Sequence, residues 1–146
     1  MGNTSYSDVI ELMLSLLHSY ELDGIFDDYD TDGLITFLKP YIKFASGELE
    51  ISGSAINTKR NDDENMFTSS LTDGEQLIIA KFILIGYLTR ETYDILQMKL
   101  HLQDGSFKTY AEKNNLQGKQ DALITLKEEV NWNITKIGYT QCNVWG

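Results

Sequence analysis

The stretch that most constrains this chain is residues 71–88, LTDGEQLIIAKFILIGYL. Thr72 is a good helix N-cap, and Glu75 stands three positions on. That spacing forms a capping box, in which each side chain satisfies an unpaired backbone N–H of the first turn. From Leu77 to Leu88 only Lys81 and Gly86 are neither apolar nor aromatic. A helix apolar on all sides has to be covered by other elements. A membrane span would need about 20 apolar residues, and here Lys81 interrupts the run while Thr89, Arg90 and Glu91 end it. The segment reads as a core helix, and the remaining helices have to wall it in.

The candidates for those walls lie on both sides. Ser5, Ser7 and Asp8 offer helix-start chemistry ahead of Val9, Ile10, Leu12, Met13, Leu16, Leu17 and Tyr20, a broad apolar stripe at helical spacing. A first helix is predicted over residues 8–20. An acidic loop with two Asp-Gly turn signals follows. Leu34, Ile35, Leu38, Tyr41, Ile42 and Ala45 then mark a second amphipathic helix, capped by Asp30, Thr31 or Asp32. Pro40, the only proline, is expected to kink it or to end its first half.

Residues 47–70 read as an irregular insertion, with a weak edge strand in GELEISGSAI and a polar tip at NTKRNDDEN. Phe67 is placed to pack back on the core helix. Residues 98–109 alternate around Asp104-Gly105, which predicts a hairpin or an extended arm. Leu116, Leu123, Leu126, Val130 and Ile134 restore helical spacing, so one long helix is expected over residues 110–136, weakened by Gly118. Residues 137–146 are aromatic without helical period and read as a docking tail. The chain of 146 residues is then a single, mainly α domain. It is a small bundle of about four helices with extended arms and a short β-hairpin.

Composition narrows function. The formal net charge is −10, from 22 acidic and 12 basic residues. A binder of phosphate backbones draws its affinity from Lys and Arg, so that class is disfavoured, whereas an acidic wall lets DNA pass without sticking. The single cysteine, Cys142, allows no intrachain disulfide or thiolate cluster and fits a reducing compartment. The MGNTSYSD start lacks a basic region, so no signal peptide is expected, and Tyr6 spoils the myristoylation pattern.

Chemistry-bearing motifs are sparse. Asp28, Asp30, Asp32, Gly33 and Ile35 match the first eight positions of a calcium-binding EF-hand loop, but Lys39 holds the position of the bidentate carboxylate. An acidic N-cap loop is the favoured reading. His18 and His101 stand alone, Cys142 has nothing nearby to lower its pKa, and no phosphate loop or nucleophile elbow is present. No catalytic residues, metal or cofactor are expected. Asn133-Ile134-Thr135 matches a glycosylation sequon but falls inside a predicted helix. Exposed aromatics without periodicity favour interfaces, which singles out Tyr139, Val144 and Trp145.

The second half also carries a familiar order. Leu71, Thr72, Glu75, Ile79 and Ala80 open an aliphatic helix. Phe107 and Lys108 make a turn, Tyr110, Ala111 and Leu116 start a helix, and Leu123 and Leu126 continue it. Phe26 and Phe44 fall in the expected places upstream. This pattern resembles the neck, or head-to-tail connector, proteins of tailed bacteriophages, and it covers most of the chain. Tyr87 and Asn114-Asn115 depart from it, since the family usually has a tryptophan and an asparagine-histidine pair there. The resemblance implies a structural virion protein of the neck, made in the host cytoplasm. It would form a ring, commonly a dodecamer, under the portal protein, dock tail or further neck proteins, and pass DNA through its channel. By the family pattern Phe107, Tyr110, Ala111 and Leu116 would lie at subunit or portal contacts. Two other classes fit the residues alone: a degenerate EF-hand-like binding module, and an acidic regulator that mimics nucleic acid.

Overall fold

The computed structural model describes the backbone of residues 2–142 and the side chains of residues 2–137. The chain order is β1 (Thr4–Ser5), α1 (Tyr6–Leu16), α2 (Thr31–Ile51), β2 (Arg60–Asn61), β3 (Met66–Phe67), α3 (Asp73–Gln97), α4 (Asp104–Lys113) and α5 (Leu116–Cys142). Short 3-10 turns follow α1 at Leu17–Tyr20 and α3 at Met98–Leu100.

Helix α3 is the axis, and α1, α2 and α5 pack around it. Its capping box is formed: the Thr72 hydroxyl accepts from the Glu75 N–H at 3.1 Å, and the Glu75 carboxylate accepts from the Thr72 N–H at 2.9 Å. Every residue from Ile78 to Leu88 is buried. Burial of a Leu or Ile side chain is worth about 1.5–3 kcal/mol, so this run dominates the core. Helix α1 adds Val9, Ile10 and Met13, with Ser5 as its N-cap. Helix α2 adds Leu34, Ile35, Leu38, Ile42, Ala45 and Leu49. Helix α5 closes the core with Ala122, Leu126 and Val130, with Leu123 and Ile134 partly buried beside them.

A small antiparallel sheet in the order β1-β3-β2 seals one end. Thr4 pairs with Phe67 and Ser5 with Met66. The Thr4 hydroxyl donates to the Ser69 carbonyl at 3.0 Å and accepts from the Leu71 N–H at 2.9 Å, which stitches β1 to the segment leading into α3. The Tyr6 hydroxyl donates to Asp62, and its ring meets Phe67 edge-on at 5.1 Å.

The mainly α fold class expected from the sequence is the one found. Several boundaries need correction. Helix α2 runs unbroken through Pro40 and on to Ile51, so residues 47–51 are helix and not an edge strand. The buried series Leu38, Ile42, Ala45, Leu49 outweighs the missing Pro40 N–H. The hairpin is β2–β3, not residues 98–109. There, Asp104-Gly105 opens helix α4 instead of a turn. The long helix expected from residue 110 is two helices, broken at Asn114-Asn115, where Asn115 takes the left-handed conformation (φ 54°). The helical backbone also continues through residues 137–142, where an aperiodic tail was expected. Among the described residues there are therefore five α-helices, not four.

Candidate interface site

Helix α4 has ten residues and none of them is buried. Its apolar side chains turn instead toward an open groove of about 780 Å³ shared with the start of α5. Phe107 and Ala111 of α4, Leu116 of α5 and Leu102 of the preceding loop form its apolar floor. Lys99, Asp104, Lys108 and Glu112 stand around it with both signs of charge. The Lys99 ammonium lies 5.2 Å from the centre of the Phe107 ring, a cation–π contact that covers one face of that ring.

Local chemistry sets this corner. The Asn114 side chain donates to the Tyr110 carbonyl at 2.9 Å and caps the end of α4. Asn115 then reverses the chain. Gly118 lies close beside it: a Cβ there would stand 2.5 Å from the Asn115 amide, which would have to turn away. The glycine that weakened the helix reading thus makes room for the turn that starts α5.

Two polar clasps hold α5 against α3. Lys81 of α3, 8% exposed, meets Glu129 at 3.4 Å, and the Tyr20 hydroxyl donates to the same carboxylate. At the other end Lys119 of α5 meets Glu91 of α3 at 3.2 Å. Burial and the bond to Glu129 hold the Tyr20 phenol well above its ordinary value of 10.0. Burial and the neighbouring Glu91 do the same for Tyr87.

Of the sequence-derived interface residues, Phe107, Ala111 and Leu116 converge on the groove. Tyr110 is half-buried on α4 and does not line it. Val144 and Trp145 lie outside the described residues, as does the side chain of Tyr139. The EF-hand-like loop is an N-cap: Asp30 Oδ1 accepts from the Gly33 N–H at 2.7 Å, and α2 begins at Thr31, inside the span a calcium loop would need. Among the described residues no three His, Cys, Asp or Glu side chains are grouped to hold a metal. His18 is exposed and meets Asp23 at 3.1 Å. No described helix is long and apolar enough to cross a membrane.

A second apolar surface escaped the sequence reading. Phe37, Pro40, Tyr41 and Phe44 of α2 face Gly86, Arg90 and Tyr93 of α3 across a shallow groove of about 590 Å³. Its signal was present in the aromatics at 37, 41 and 44, one helical face of α2, but their role depends on where α3 crosses. Helix α5 also exposes Ile124 and Trp132, at 59% and 61%.

Against this geometry, comparison with known proteins gives nothing further: no protein-family model, no curated protein and no solved structure matches the chain.

Proposed function

We propose that this chain is a non-catalytic structural protein of a phage neck, a head-to-tail connector that assembles as a ring below the portal protein. The observation that carries this reading is helix α4, which has no buried residue yet gathers Phe107, Ala111 and Leu116 on one open groove. A ten-residue helix is marginal in isolation. An apolar surface of this kind is normally covered by a partner. A ring is built from heterologous contacts, in which one subunit's groove accepts a different surface of the next. The exposed Ile124 and Trp132 of α5 are a second apolar surface of the sort such a contact requires. A net charge of −10 suits a channel that DNA traverses without being held.

The test is the mass of the purified full chain in solution, alone and mixed with the portal-type protein encoded in the same genome. The expected result is a monomer alone and a ring, twelvefold by the family pattern, in the mixture. Ala111→Arg and Phe107→Ser should each keep the helical circular dichroism and abolish the ring. A chain that stays monomeric beside every structural neighbour would end this reading.

A further inference from the structure

The charge of this molecule is not spread evenly along it. Before Lys39 the chain holds eight Asp and Glu residues and no Lys or Arg. From Lys39 onward it holds 14 acidic residues against 12 basic ones. Most of the net −10 therefore belongs to α1, the loop after it and the start of α2. A block of one sign sets up a local field that interspersed charges do not.

Where these three segments meet, the surface opens into a pocket of about 270 Å³. Ile10 of α1, Leu17 of the turn after it, Phe26 of the loop and Leu34 of α2 form its floor, and all four are buried. Leu14 and Tyr29, 38% and 40% exposed, stand at its mouth. Glu11 lines it from α1, and Asp27 and Asp30 line it from the loop. Among the described residues no Lys, Arg or His lines it. The carboxylates of Glu11 and Asp27 have no hydrogen-bond or ion-pair partner among the described residues, and Asp30 gives one oxygen to the Gly33 N–H. The one histidine of this stretch, His18, meets Asp23. The positive end of the α2 dipole, about half a charge, does not balance three carboxylates. The pocket is smaller than the roughly 300–1,000 Å³ of small-molecule sites and suits a protruding side chain.

The rim selects the occupant. An apolar floor between unpaired carboxylates complements a hydrophobic side chain flanked by cations. Phosphate-bearing partners are repelled. So is a second copy of this chain, which brings the same acidic stretch. Its one pair of adjacent basic residues, Lys59-Arg60, is followed by Asp62, Asp63 and Glu64, and Arg60 already meets Asp62 at 3.3 Å. Complementary charge speeds encounter and fixes register, while an anchor seated in a desolvated pocket supplies most of the affinity. The pocket shares no residue with the α4–α5 groove.

We infer that this pocket docks a basic segment of another protein, which seats an aliphatic side chain on the floor formed by Ile10, Phe26 and Leu34 and sets Lys or Arg against Glu11 and Asp27. The test uses the full chain and a fluorescein-labelled peptide of two lysines, two leucines and two arginines in that order, followed by fluorescence polarisation. Saturable binding is expected. It should weaken at least tenfold when Glu11→Gln and Asp27→Asn are combined, both exposed positions; Asp30 is left in place because it caps α2. Binding should be unchanged when Asp63→Asn and Glu64→Gln are combined, which removes the same charge from the exposed hairpin tip. A peptide with serine in place of leucine should bind at least tenfold more weakly. Absence of saturation at millimolar chain overturns the inference. So does equal binding of the serine peptide, which would mean charge attraction alone. A Glu11 and Asp27 variant that loses no more than the hairpin variant overturns it as well. Whether the chain forms rings does not enter this measurement, so the two proposals fail separately.

Discussion

Tyr20 shows how much a single side chain can couple here. Its hydroxyl donates to Glu129, which also receives Lys81, so one carboxylate joins the end of α1 to α3 and α5. The phenol's pKa lies above 10.0 in the folded chain and returns to that value on unfolding. A raised folded pKa contributes stability that is complete below pH 10 and is lost as pH rises beyond it. Tyr20→Phe should therefore cost about 0.5–1.5 kcal/mol at pH 7 and should flatten the alkaline loss. Urea midpoints of the two proteins at pH 7 and above pH 10 check this. Equal pH slopes would show that the hydroxyl is not coupled to Glu129. Nothing in the sequence paired Tyr20 with a residue 109 positions away. The pair forms only because α5 returns alongside α3.

Among the elements, α3 was legible because its cap and apolar run are local and agree with each other. Helix α2 was legible only in its first half. Pro40 and the alternation of GELEIS both argued for a break, yet Ala45 and Leu49 continue the buried stripe and keep the backbone helical. The conflict leaves a measurable residue of cost. A proline inside a helix forfeits one hydrogen bond, here at the Thr36 carbonyl, and costs about 3 kcal/mol. Pro40→Ala should raise stability by about 2 kcal/mol, the remainder being offset by a more flexible unfolded chain. A denaturation midpoint that does not rise would mean the helix is already relaxed around Pro40. At α4 the reading failed for the opposite reason. Asp104-Gly105 is a turn signal in isolation, yet here Asp104 stands in the first turn of α4. Phe107 and Ala111 line a groove with Leu116, while Tyr110 does not, and the aromatic groove depended on a crossing at Gly86 that no local pattern encodes.

At the scale of the molecule, the packed core reaches Ile137, the last residue whose side chain is described. A chain stopped after Gly138 should then keep its melting temperature within a few degrees, because only the final turn of α5 and the segment beyond it are removed. On the connector reading the same truncation should reduce assembly, since Tyr139, Val144 and Trp145 are lost with it. Circular dichroism melts and solution mass, run side by side, separate the two effects. A truncated chain that unfolds would place residues 139–146 in the core.

The short strand β1 has a consequence for how the chain reaches this state. It joins Thr4 to Phe67 and Ser5 to Met66, residues 63 and 61 positions apart, whereas most helix contacts are made within a turn. Closing a loop of that length in a disordered chain costs about 4 kcal/mol of entropy, which two residue pairs cannot repay. The strand can settle only after α1 and α2 have collapsed onto α3 and brought the two ends of the loop together. On this ordering the local helices pace folding and the long-range strand completes it.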